Sequence, residues 1–345
     1  MMFKISGFFN KYKGLKVFLI IFAVILGISV LIKFALGESQ GNTIGESGKI
    51  SVSHDYIGQL DVSGTITEAE DNSMLSSGST YHHKWLLNRI ADMRDDEKNK
   101  GLMLVVNTPG GSVYASDELY LAIKDYKRKT NRPVYSYMKT QATSGGYYIS
   151  APCDRIVINR NGWTGSIGVT MGTMYNIKGL LDKMGVKTVT VTSGRNKAMG
   201  SMAEEMTKEQ KDILQSLVDE AYDQFVEIVS EGRKLSKAKV RKIADGRIYS
   251  AKQAKAHKLV DEIATLDAAK SDMRNRYDLK DAEFEEFRYD GEKGILSGLL
   301  GESVSKLINN KLTGKKTPLT EVEQLKALMT ESQGFTVTYM SSVRH

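Results

Sequence analysis

"GLMLVVNTPGGS", residues 101–112, decides the fold: an apolar run from Leu102 to Val106 has the length of a strand and breaks off at Asn107, Pro109, Gly110 and Gly111. A strand that is polar on neither face is buried on both, as happens in a parallel sheet covered by helices. The flanking segments agree. Upstream, residues 82–98 place Trp85, Leu86, Ile90 and Met93 at helical spacing, and downstream residues 113–129 do the same with Leu119, Leu121, Ile123 and Tyr126. Next come a strand at "RPVYSYM", a short Ser-Gly-Gly segment and a strand at "DRIVIN", and the pattern predicts a helix over 175–184 and a strand over 186–192. Earlier in the chain, "YIGQLDVSGTIT" (56–67) alternates like a strand and leads into a polar loop. Strands alternating with helices describe an α/β domain with crossover connections.

The 345 residues, 41% hydrophobic and 26% charged, suffice for one substantial core or two modest ones. The first 36 residues lack Asp and Glu, carry Lys4, Lys11, Lys13 and Lys16, and run apolar over 17–36 except for Lys33. Twenty residues can span a bilayer. The apolar region is longer than that of a secretory signal, and "IKFALGES" offers no clean cleavage site, so the segment reads as an uncleaved anchor. Its lysines place the N-terminus in the cytoplasm and the rest of the chain outside the cell membrane. Five of the seven net positive charges belong to this segment, so basicity reports topology rather than nucleic-acid binding. The single Cys153 reads as a small core residue, and five scattered histidines offer no zinc-ligand spacing.

The expected organisation is an anchor over 1–36, a linker over 37–54, an α/β domain over 55–265 and a C-terminal extension over 266–345. From Thr207 onward the pattern turns helical, opened by a capping box formed by Thr207 and Gln210, with Ser236 and Ser250 as further N-caps. Beyond residue 267 the pattern is weak, until "GFTVTYMSSV" (334–343), which is uncharged and extended-prone and reads as a segment able to lie in a groove of its own chain as a self-ligand.

Loops leaving the C-terminal ends of parallel strands carry the chemistry of such folds. Two are glycine-rich here, "NTPGGS" (107–112) and "TSGG" (143–146). If Ser144 heads a helix, its hydroxyl is exposed there and the N–H of Gly145 is unsatisfied. A second N–H from Gly110 or Gly111, where no side chain blocks approach, would complete an oxyanion hole. No histidine (His54, His82, His83 or His257) stands in a comparable motif, so a Ser-His-Asp triad has weak support. A desolvated lysine is the other base for serine. Lys197, in "TSGRNKAMGS" directly after a predicted strand, is the candidate, while Tyr147 and Tyr148 read as packing residues and Arg195 as a solvated charge.

The motifs "NTPGGSVYAS", "SGGYYISAPCDRIVIN", "TGSIGV", "SGRNKAMGS" and "ADGRIYSAKQAKAHKLVDEI", in this order over residues 55–265, resemble those of the bacterial signal peptide peptidase A family. The resemblance implies a Clp-protease-like, crotonase-type fold and a membrane-bound serine endopeptidase that degrades signal peptides left in the membrane, with no metal or other cofactor. It also implies Ser144 as nucleophile, Lys197 as general base, Ser166 as the residue orienting the lysine, and Gly145 with Gly110 or Gly111 as oxyanion donors. The chain has the length of the family's short form, in which complete sites require a ring or dome of several copies, with Ser and Lys supplied by neighbouring chains. Three other readings stay open: a crotonase-like acyl-CoA enzyme, against which the anchor argues; a Ser/Lys protease for one specific membrane partner; and an inactive oligomeric scaffold.

Overall fold

The computed structural model describes residues 50, 52–68, 81–289 and 338–340. The expected anchor over 17–36 and most of the linker lie outside these residues, and among the described residues no helix is long and apolar enough to cross a membrane. The chain runs β1 (Tyr56–Ser63), α1 (His83–Asp95), β2 (Asn99–Thr108), β3 (Gly110–Ser112), α2 (Val113–Thr130), β4 (Val134–Thr143) and α3 (Gly145–Ser150). It continues through β5 (Arg155–Ile158), β6 (Trp163–Gly165), α4 (Lys178–Lys183), α5 (Lys208–Arg233), α6 (Lys237–Ile243), β7 (Ile248–Ser250) and α7 (Ala251–Ala256). The remaining elements are β8 (Glu262–Ile263), α8 (Leu266–Arg276), β9 (Glu283–Phe287) and β10 (Thr338–Met340).

The main sheet has the order β7-β6-β4-β2-β1-β9, with β5 and β8 branching from β4, and every pairing in it is parallel except β6 with β7. Its two faces support two cores. Tyr56, Leu60, Leu102, Leu104, Val106 and Met138 face the larger one, which the helices on that side close; Ile57, Met103, Val105 and Tyr135 face the smaller, closed by Ala269 and Met273 of α8. Burial on both sides explains the uninterrupted apolar run of β2.

The forking of β4 positions the site. Residues 135–138 pair with β5, whereas Gln141, Ala142 and Thr143 pair with Trp163, Thr164 and Gly165 of β6. Ser112 caps α2 by accepting the Ala115 N–H at 3.0 Å, so the turn after β3 feeds directly into a helix. The predicted capping box of Thr207 and Gln210 opens α5, and Ser236 and Ser250 cap α6 and α7.

Two expectations fail, and for related reasons. The strand predicted over 186–192 does not form, and the helix predicted over 175–184 shrinks to α4, none of whose residues is buried. Val189 and Val191 are 87% and 91% exposed, so among the described residues no neighbouring strand or apolar surface supports them. At the other edge the sheet extends further than the weak pattern indicated, because β9 pairs with β1 and Phe287 packs against Tyr56 with ring centroids 5.8 Å apart.

The C-terminal end of α5 is clamped to the chain before β8. Arg233 donates to both oxygens of Asp261 at 2.7 and 3.0 Å, and Asp261 also accepts the Ile156 N–H at 2.8 Å. Burial by itself would push the Asp261 carboxyl up, but the Arg233 guanidinium and the Ile156 N–H hold it below the ordinary carboxylate range. A depressed native value stabilises the fold fully above the unfolded value of about 3.9, and that contribution fades as pH falls toward the native value. The melting-temperature gap between wild type and Asp261→Asn is therefore expected to hold steady from about pH 7 to 5 and to narrow below about 4. A gap that widens in acid would contradict the clamp.

Candidate active site

Ser144 occupies the single residue between β4 and α3, with φ 56° and ψ −117°, a backbone conformation that L-residues rarely adopt. Such strain costs about 1–3 kcal/mol and persists where surrounding structure enforces it. Here the Ser144 N–H donates to the Gly165 carbonyl at 2.8 Å, and its own carbonyl accepts the N–H groups of Tyr147 and Tyr148, both at 2.9 Å. The sharp strand-to-helix turn resembles the elbows that present nucleophiles in α/β hydrolases. Tyr147 and Tyr148 are fully buried, as read from the sequence, and they also anchor α3 through their hydroxyls: Tyr147 donates to the Leu259 carbonyl at 2.8 Å and Tyr148 to Asp117 at 2.6 Å.

The glycines have distinct tasks. A Cβ on Gly145 would stand 2.5 Å from Ser116 Oγ and 3.2 Å from the Gly111 nitrogen, so only glycine lets α3 sit this close to β3. At the first turn of α3 the Gly145 N–H has no carbonyl one turn back to receive it. Gly110 and Gly111 separate clearly. The Gly110 N–H is already given to Thr108 Oγ1 at 3.1 Å, while Ile66 takes up the Gly110 carbonyl at 2.9 Å and the Ser112 N–H at 2.8 Å. Alternation along an extended strand then turns the polar groups of Gly111 toward the opposite edge. The role of Thr108 was missed from sequence, although it lies within the quoted motif.

That edge is occupied by β10, whose Thr338, Tyr339 and Met340 pair antiparallel with Ser112, Gly111 and Gly110. On its other side Thr338 exchanges two backbone hydrogen bonds with Thr170, at 2.9 and 3.1 Å. An extended segment of the chain's own C-terminal region thus fills a slot between β3 and residue 170, as the extended-prone tail suggested.

Ser166 follows Gly165 and is held with φ 49° by donating its N–H to the Arg247 carbonyl at 2.8 Å. Ser144, Gly145, Gly111 and Ser166 are therefore brought together at one end of the sheet. Lys197 is not joined to them. It is exposed, on a turn tied to the start of α5 by the Asn196 amide and the Arg195 guanidinium, each 3.2 Å from Glu209, and its side chain makes no hydrogen bond or ion pair with a described residue. Arg195, read as a solvated charge, has this ion pair.

Among the described residues no histidine takes the place of the lysine. His83 is buried between Tyr81 (2.7 Å) and Glu118 (2.9 Å), and His257 packs beside Tyr249. Burial pushes the Cys153 thiol up to about 12, which leaves it an unreactive core group. Among the described residues one trio, His54, Glu283 and Glu285, gathers three ligand-type atoms within 4.8 Å of one another, but at the N-terminal end of β1, away from Ser144.

Comparison with known proteins points to one peptidase family. The profile of peptidase family S49 matches residues 126–280. An Enterococcus faecium protein provisionally named signal peptide peptidase SppA is 35% identical over 273 residues, covering 79% of this chain and 78% of its own. A Methanocaldococcus jannaschii protein provisionally named a protease is 37% identical over 244 residues, 70% of this chain and 78% of its own. Protease 4 of Haemophilus influenzae is 35% identical over 214 residues, 62% of this chain and 33% of its own.

If Ser144 stores backbone strain, glycine should relieve it. Ser144→Gly is expected to melt about 3 °C above Ser144→Ala, the strain outweighing glycine's greater unfolded entropy by about 1 kcal/mol. Equal midpoints would mean that the turn is unstrained.

Proposed function

The chain belongs to peptidase family S49 and is a serine protease, and we propose that it is a membrane-anchored endopeptidase that uses Ser144 and Lys197 to degrade signal peptides left after secretion. The observation that carries this reading is the strained Ser144 turn set beside the Gly145 and Gly111 backbone, at a slot where an extended polypeptide strand already pairs with β3. Strand addition at a sheet edge recognises main chain, and so suits peptides of varied sequence. Remnant signal peptides are the substrate that the name of the Enterococcus faecium relative suggests, and the apolar segment over 17–36 would hold the enzyme where they are released, with the catalytic domain outside the cytoplasm.

In this mechanism unprotonated Lys197 takes the Ser144 hydroxyl proton as Oγ attacks the peptide carbonyl. The N–H groups of Gly145 and Gly111 stabilise the oxyanion, and the lysine ammonium then gives its proton to the leaving amine. Water, deprotonated by the same lysine, releases the acyl group from Ser144, and Ser166 orients the lysine. Because Lys197 is exposed on a segment whose Tyr175, Leu180, Met184, Val189 and Val191 are more than half exposed, we place its working position in the site of a neighbouring copy within a homo-oligomeric ring or dome. Burial of that apolar surface would drive the assembly. The tail strand β10 then acts as a self-ligand of the peptide slot.

The test is cleavage of a synthetic apolar signal peptide by the full-length protein in detergent. Wild type is expected to cleave it faster as pH rises from about 6 to 9, since the base acts unprotonated. Ser144→Ala and Lys197→Ala should each lose roughly 10³-fold or more with assembly unchanged. Activity surviving Lys197→Ala would name a different base; no wild-type cleavage would favour a protease for one specific membrane partner.

A further inference from the structure

The two oxyanion donors belong to separate elements, Gly111 to β3, which runs directly into α2, and Gly145 to α3, so their separation depends on how α2 is held against α3. Two consecutive residues of α2 make that contact. Ser116 is completely buried, with its Oγ 2.5 Å from where a Cβ on Gly145 would stand. Asp117 accepts the Tyr148 hydroxyl proton at 2.6 Å, and Gln224 of α5 donates its Nε2–H groups to Asp117 Oδ1 at 3.0 Å and to the Tyr148 hydroxyl oxygen at 2.7 Å. Three side chains from three helices thus close a triangle of hydrogen bonds one turn from the nucleophile. The Tyr148 ring is wedged between Tyr120 (centroids 5.5 Å apart, 72°) and Phe225 (5.0 Å, 57°), so its position does not depend on the hydroxyl alone.

We propose that Tyr148 and Asp117 are positioning residues of the oxyanion hole, setting the separation of the Gly111 and Gly145 N–H groups by tying α2 to α3. Neither touches the reacting atoms. Buried packing holds α3 laterally, through the Tyr148 ring and the Tyr147 hydroxyl, whereas the Tyr148 hydroxyl is the directional link from α3 to the helix that follows Gly111. This inference rests on the assignment of Ser144 as nucleophile and of the two glycines as donors. Its consequence is specific: losing the link should weaken binding of the tetrahedral transition state while leaving the strand-binding edge of β3 able to hold substrate.

Tyr148→Phe removes only the hydroxyl and keeps the ring contacts. We expect its kcat to fall roughly 30-fold with KM within about threefold of wild type, a fraction of the 10²–10³ loss caused by deleting an oxyanion donor outright. Affinity for a peptide aldehyde, which forms a tetrahedral adduct with the serine, should fall in the same proportion as kcat/KM. Asp117→Ala should reproduce the loss, and Asp117→Asn, which keeps the accepting oxygen, should restore kcat to within about threefold. The proposal is overturned if Tyr148→Phe keeps kcat within about twofold of wild type while Ser144→Ala is inactive, or if aldehyde affinity is unchanged when kcat falls. Cleavage by Ser144→Ala at the wild-type rate would instead overturn the nucleophile assignment, and the positioning role with it.

Discussion

The hydrogen bond from the Ser144 N–H to the Gly165 carbonyl, 2.8 Å long, is the constraint on which the rest of the site depends. It continues the parallel pairing of β4 with β6 by one residue beyond Thr143, past the point where β4 would otherwise be free to enter α3 with an ordinary turn. Holding the N–H there while the Ser144 carbonyl caps the Tyr147 and Tyr148 N–H groups leaves the backbone its strained dihedral angles. The fork in β4 therefore has a chemical outcome. Pairing first with β5 and then with β6 brings Ser166, one residue after Gly165, beside the serine.

A second constraint is closeness of backbone. Ile66 lies so near β3 that its carbonyl oxygen would be 1.8 Å from a Cβ on Gly111, and α2 crowds Gly145 in the same way. These contacts leave no room for side chains and bring two peptide N–H groups within reach of one small volume. The other edge of β3 pairs with β10, so the strand that holds the proposed donor Gly111 also takes up an extended segment. In the proposed mechanism Gly111 would serve both catalysis and main-chain recognition.

Legibility in the sequence followed the range of the interactions. The run from Leu102 to Val106, the caps at Thr207, Ser236 and Ser250, and the glycine turns at 107–112 and 143–146 are local signals, and each matches its element. The choice between Gly110 and Gly111 was not legible, because it turns on Thr108 Oγ1 and on Ile66, more than forty residues upstream in the chain. The edge strand β9 was missed since "EFEEF" carries mostly charge and lacks two-residue alternation, Phe284 and Phe287 packing against opposite cores. The expected strand over 186–192 shows the converse failure: β-branched residues supply propensity, but pairing needs a partner, and none of the described strands of this chain meets them.

That unsupported segment bears on the main question, for it leads into the turn that carries Lys197. The serine side of the site is assembled within one chain, whereas the lysine stands apart on an exposed segment with an apolar surface. The most direct measurement is to mix the two inactive variants, Ser144→Ala and Lys197→Ala, under conditions where subunits exchange, and to assay peptide cleavage. If lysine comes from a neighbouring copy, about a quarter of the sites in an equal mixture receive both intact residues, and activity returns. A mixture that exchanges subunits yet remains as inactive as its components would contradict the account.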